Sequence, residues 1–131
     1  MLETETDEDK DTLTVVVGEP DDEERKLEKI RKAERGEDVE PMRRLVLPSF
    51  DEFEVLARRT NLEILQALAE HDVDSISELA DVVNRDYKEV HRNVEELATM
   101  NIVEFKQHGN AKKPVTRFRD IKVKILLNST E

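Results

Sequence analysis

Hydrophobic positions follow two spacings along this chain of 131 residues, and the change between them divides it. From Ser49 to Met100 apolar side chains recur every three or four residues, the period of helices that bury one face. Phe53, Leu56 and Ala57 form a first short set. Leu62, Ile64, Leu65, Leu68 and Ala69 form a second, Ile76, Leu79, Ala80 and Val83 a third, and Val90, Val94, Leu97 and Ala98 a fourth. Each set follows a cap residue with an acid three positions on: Ser49 and Glu52, Thr60 and Glu63, Ser75 and Glu78, Asp86 and Glu89. In such a capping box the cap oxygen accepts from a free backbone N–H of the first turn, and the acid reaches back to the cap. After Asn101 the period drops to two, in Ile102–Lys106, Pro114–Arg119 and Ile121–Ile125, with a His108-Gly109-Asn110 turn between the first two. Three helices followed by a hairpin is the order of a winged helix-turn-helix.

Upstream the pattern is thinner. Residues 1–11 hold six acidic side chains and read as a disordered acidic tail. Thr12–Val17 is β-branched and stops at Gly18, which predicts a short strand. Asp22 to Arg35 predicts a charged helix with Leu27, Ile30 and Ala33 as a narrow apolar stripe, closed by Gly36. Pro41 begins a linker, and Leu45-Val46-Leu47 adds a brief strand. The expected organisation is therefore a tail at 1–11, a strand-plus-helix arm at 12–44 for dimerisation or partner contact, and a winged helix-turn-helix domain at 45–131. The class is α+β, mainly α. The Thr12–Val17 strand is expected to lie beside Ile121–Leu127, either of its own chain or of a second copy, and Phe50 and Phe53 are expected in the core.

Charge changes the picture because it is uneven. The net charge is −11, yet residues 84–124 carry 10 basic and 6 acidic side chains. A basic segment inside an acidic protein keeps nucleic acid open as a partner, since binding depends on the local surface. The rest of the acidity suits either a solubilising arm or a high-salt cytoplasm.

Little supports catalysis or cofactor binding. The absence of Cys excludes disulfides, Fe–S clusters and thiol-ligated zinc. Gly18, Gly36 and Gly109 stand in no phosphate-binding loop, and His71, His91 and His108 have no metal-ligand spacing. No serine has a nucleophile-elbow setting. The expectation is a non-enzyme with no cofactor and no metal. No apolar run approaches the ~20 residues of a membrane span, and the acidic start is unlike a signal peptide; the chain is expected to be soluble and cytoplasmic.

The candidate contacts are with double-stranded DNA. Ser75–Val83, the Asn84-Arg85 link and Asp86–Thr99 form the helix-turn-helix, whose second helix would lie in the major groove. At ~100° per residue, Val90, Val94, Leu97, Ala98 and Tyr87 share an arc that faces the core. Arg85, Lys88 and Arg92 share the opposite face, with His91 on the border. Lysine and arginine there can donate to guanine O6 and N7 or to phosphate. Tyr87 reads as packing or as a base contact, its angle favouring packing. Ser75 and Ser77, at the start of the preceding helix, complete this set. Lys106, His108, Asn110, Lys112 and Lys113 cluster at the hairpin and suit a wing on phosphates or the minor groove; lysine there also guards against edge pairing.

Asn61–Leu68, Ser75–Ala80 and Arg85–Leu97 resemble a haloarchaeal DNA-binding family of MarR-like winged helix-turn-helix transcriptional regulators. The likeness covers about residues 12–127, and the Arg85-Asp86-Tyr87-Lys88 and Val90-His91-Arg92 stretch is its most specific part. Glu89 and the acidic His71-Asp72-Val73-Asp74 link depart from that pattern. The resemblance implies a transcriptional regulator acting as a homodimer, in a high-salt cytoplasm. Some relatives look like the antitoxin half of toxin–antitoxin pairs. The leading expectation is thus a repressor or autoregulator that reads bases with 86–99 and holds DNA with a wing at 102–119. The alternative is a protein-interaction module whose partner is a toxin or a component of the transcription machinery.

Overall fold

The computed structural model describes residues 10–20, 26, 30 and 43–127. Its elements are β1 (Thr12–Val17), β2 (Arg44–Leu47), α1 (Phe50–Leu56), α2 (Arg59–Glu70), α3 (Ile76–Val83), α4 (Tyr87–Thr99), β3 (Glu104–His108), β4 (Ala111–Val115) and β5 (Asp120–Ile125). They divide into two units. One comprises Met1–Phe53 with Asp120–Glu131, the other Glu54–Arg119. Residues 1–9 of the acidic tail expected at 1–11 and most of the charged helix lie outside the described residues; within that helix Lys26 and Ile30 are helical and exposed.

The first unit is a parallel sheet in the order β2-β1-β5. Val15 of β1 sits opposite Leu45 on one side and Val123 on the other. One sheet face therefore collects Leu13, Val15 and Val17 with Leu45, Leu47, Ile121, Val123 and Ile125. Leu13, Val15, Val16 and Val17 are fully buried, as expected for the central strand of a parallel sheet, while β5 stays largely exposed along its edge. Gly18 ends β1 at a positive φ of 122°, where a Cβ would stand 3.0 Å from that of Leu126. The expected domain boundary is corrected here. β5 pairs with β1 of its own chain, one of the two pairings expected for it, and so lies in the first unit instead of the winged domain, with the second unit inserted between β2 and β5. Parallel strands need a long crossover, and the inserted unit supplies it.

The second unit is a winged helix-turn-helix. Helices α2, α3 and α4 pack on one another, with Ile64, Leu79, Val90, Val94 and Leu97 fully buried among the core residues. Two capping boxes form much as expected. Ser75 Oγ accepts from the Glu78 N–H at 3.1 Å, although Glu78 Oε1 reaches past Ser75 to the Asp74 N–H at 2.9 Å. Ser49 and Glu52 exchange longer contacts of 3.3 to 3.5 Å. The box at Asp86 is half made: Asp86 Oδ2 accepts from the Lys88 and Glu89 N–H groups, but Glu89 turns to Arg85. The box at Thr60 does not form. α2 starts two residues earlier, behind Arg58, which makes no side-chain cap; Thr60 is buried and Glu63 pairs with Arg85. The α2 start is tied to α4 instead, through Arg58 on Glu96 at 2.9 Å and through the buried Asn61, whose Nδ2 donates to Val55 O and Glu96. Two further expectations are corrected: Phe50 is 60% exposed, and Leu62 points to solvent.

Asn84 closes α3 in the left-handed region, φ 58°, where asparagine is among the few non-glycine residues tolerated. The turn between α3 and α4 is thereby held to three residues, Asn84 to Asp86. β3 and β4 then form the wing, paired antiparallel with Lys106 opposite Lys113 and His108 opposite Ala111. Gly109 takes φ 63° at the first of two loop positions, the place a type II′ hairpin turn reserves for glycine. The strands lie at 104–108 and 111–115, so the second starts three residues before the expected Pro114.

Candidate nucleic-acid interface

The basic side chains of the second unit fall into two groups. Those that fasten the fold are paired. Arg58 is held by Glu96, and Arg117 by Glu104 at 3.2 Å. Arg85, expected on the DNA face, has its Nε 3.0 Å from Glu63 and an Nη 3.7 Å from Glu89. The hydrogen bond to Glu63 raises the Arg85 pKa further above its already high value. This side chain clamps the link before α4 to α2.

The second group projects outward. Lys88 and Arg92 are exposed on the first two turns of α4 and make no ion pair among the described residues. Tyr87 stands beside them, 49% exposed, with its ring 5.8 Å from that of His91. The angle of Tyr87 on α4 predicts a ring turned toward the core, and the structure leaves it exposed instead. It is the first residue of α4, and its direction alone does not put anything over the ring. His91 is half-buried, and its Nε2 lies 3.8 Å from Glu95. Ser77 is exposed on the first turn of α3, whereas the Ser75 hydroxyl is committed to its cap.

The wing is divided in the same way. Lys106, Asn110 and Lys112 are exposed, Lys112 with its ammonium 5.7 Å from the centre of the Phe105 ring. Lys113 is turned back onto the α2–α3 loop, where Nζ is 2.7 Å from Asp72 and 3.9 Å from Asp74. His108 faces the same loop, Nε2 3.7 Å from Asp74. The partners Asp72, Asp74 and Glu63 were not among the expected site residues, because no local pattern links an acid in one loop to a lysine on a strand far along the chain.

The Asp72–Lys113 pair shifts both groups. The hydrogen bond from Lys113, and then its charge, hold Asp72 below the usual carboxylate range; the same bond raises Lys113. A depressed acid contributes above its unfolded pKa and loses that contribution as pH falls through its folded one. A raised lysine contributes below its unfolded pKa and loses that as pH rises through its folded one. The pair is therefore expected to stay closed from about pH 5 to about pH 9. Carboxyl-carbon NMR of Asp72 checks it: titration should fall below the ordinary aspartate midpoint and return to it in Lys113→Gln. An ordinary midpoint in the unaltered protein would mean that the pair is open in solution.

Fold and surface together define a winged helix-turn-helix protein with its loose cations on the second helix of the motif and on the wing. Residues 56–123 match the HVO_A0114 family, and the chain belongs to that family. No curated protein sequence matches it. Among solved structures it is similar to the AntR antimony-specific transcriptional repressor, at 28% identity over 51% of this chain and 60% of that one, with a TM-score of 0.44. It is also similar to NolR from Sinorhizobium fredii, at 18% identity over 68% of this chain and 75% of that one, TM-score 0.46. A third is the homodimeric winged helix-turn-helix DNA-binding domain Mb0332 from Mycobacterium bovis, at 16% identity, 76% and 74% coverage and a TM-score of 0.47. No described helix is long and apolar enough to cross a membrane.

Proposed function

We propose that this protein is a sequence-specific regulator of transcription that binds double-stranded DNA and represses by occupancy, its own promoter included. Helix α4 reads base edges in the major groove, and the wing at 102–119 contacts phosphates or the minor groove. The observation that carries this reading is the sorting of cations. Lys88, Arg92, Lys106 and Lys112 project from the two elements that a winged helix offers to DNA, while Arg58, Arg85 and Arg117 are spent on intramolecular carboxylates. A homodimer of the MarR-like kind fits, since paired recognition helices read two half-sites one turn of DNA apart.

The acidic surround sets the expected salt response. Binding by phosphate neutralisation alone loses ~10³–10⁵ in affinity between 50 and 200 mM salt when several contacts are made. Five outward cations on α4 and the wing, Arg119 included, within a chain of net charge −11 supply little of that term, so base contacts must carry the affinity. Fluorescence anisotropy with the protein's own upstream duplex and a scrambled one, from about 0.2 to about 3 M KCl, should give sequence-dependent binding with a shallow salt slope. Equal binding to both duplexes, or a steep loss with KCl, would contradict this reading.

A further inference from the structure

We propose that Asp72 and Asp74 are an intramolecular competitor for DNA phosphate: they occupy Lys113 of the wing, so that the wing meets a duplex with fewer cations than its sequence supplies. The inference rests on the DNA-binding reading above. Lys113 is the best-paired cation of the hairpin, its ammonium 2.7 Å from one carboxylate and 3.9 Å from another, with Glu78 adding to the same negative field. Its ladder partner is Lys106, on the same face of the hairpin and exposed. Two adjacent lysines on that face would otherwise form the densest positive point of the wing, and the loop removes one of them.

A structural role for the pair is less well supported than an electrostatic one. Pro114 and Phe118 are buried, as are Ile102 and Val103 on the approach to β3, and Thr116 Oγ1 donates to the Ile102 carbonyl at 2.9 Å. These contacts place the hairpin. The Lys113 side chain is 22% exposed but that of Asp72 is 84% exposed, and an ion pair with one partner so open to water adds little to stability. They do cancel charge locally. Non-specific binding scales with the number of phosphates neutralised, at about 0.9 in log–log salt slope per contact. A phosphate that takes Lys113 must displace a carboxylate already there, so the exchange brings no net gain of a cation–anion contact.

The full-length chain, Asp72→Asn/Asp74→Asn, Lys113→Gln and the triple variant would be titrated by anisotropy against a scrambled duplex of about 30 base pairs at several KCl concentrations. The double variant is expected to bind roughly 5- to 10-fold more tightly at low salt, with a slope steeper by about 0.9. The triple variant should show neither change relative to Lys113→Gln. An equal gain with Lys113 absent would overturn the proposal, because the acids would then act by general repulsion; so would no gain at all. If none of the four proteins bound any duplex at any salt, the DNA-binding reading would fall with it. Retained binding through Lys88 and Arg92 with no Lys113-dependent gain would overturn the competitor alone.

Discussion

Replacing Lys88 and Arg92 together by alanine is expected to weaken binding to the protein's own upstream DNA by roughly two to three orders of magnitude, ~3–4 kcal/mol, without loosening the fold. Both side chains are exposed on the first two turns of α4, and neither makes an ion pair among the described residues. Their removal therefore leaves no buried group unpaired, and thermal melts should superimpose. Each well-placed base contact contributes ~1–3 kcal/mol of discrimination, so losing two should also bring the upstream and scrambled duplexes close to parity. Alanine at both Lys106 and Lys112 should act differently. Those lysines sit on the wing, and their loss should weaken binding to every duplex alike and flatten the salt slope. If the α4 variant instead lost affinity equally for all sequences, α4 would be a phosphate-binding element and the base reading would have to move elsewhere. Arg85→Ala is the useful contrast: since it pairs with Glu63 and Glu89, its loss should show in stability.

The helix-turn-helix was legible because its signals are local. The boxes at Ser49 and Ser75, the cap at Asp86 and the three-to-four spacing of Ile64 to Leu97 all lie within a turn or two of the structure they specify. Thr60 failed as a cap because tertiary packing took both of its parts, burying the threonine and drawing Glu63 to Arg85. The fate of β5 was open for a different reason. Ile121, Val123 and Ile125 alternate with lysines, which suits a place beside Thr12–Val17 of its own chain or of a second copy. Only the pairing with β1, from the far end of the chain, decides between them. The same distance hid Asp72 and Asp74. Their acidity stood out in sequence as a departure from the family pattern, but its meaning depends on where the hairpin folds back. Tyr87 shows the limit of angular reasoning, which gives the side of a helix but not what lies opposite its first turn.

Leu97→Ala is expected to produce the largest loss of stability, about 2–5 kcal/mol, from a position that touches no DNA in the proposed complex. Leu97 is fully buried on α4, the helix that packs against both α2 and α3, and its carbonyl also accepts from the Ile102 N–H at 3.0 Å as the chain turns toward the wing. The backbone bond survives the substitution. What is lost is the isobutyl group, leaving a cavity that three helices must collapse around or tolerate. Against a total of ~5–15 kcal/mol for a domain, this is a large share, and the melting temperature should fall by roughly 10–20 °C. Glu95→Ala, exposed on the same helix, should stay within about 0.5 kcal/mol of the unaltered protein. The two kinds of α4 variant then separate in one experiment. Well below its melting transition, Leu97→Ala should bind the upstream duplex nearly as tightly as the unaltered chain and lose binding only as it unfolds, whereas Lys88→Ala/Arg92→Ala should be deficient at every temperature. Weak binding by a demonstrably folded Leu97→Ala protein would mean that core packing also sets the pose of α4, and that the groove-facing side chains do not act alone.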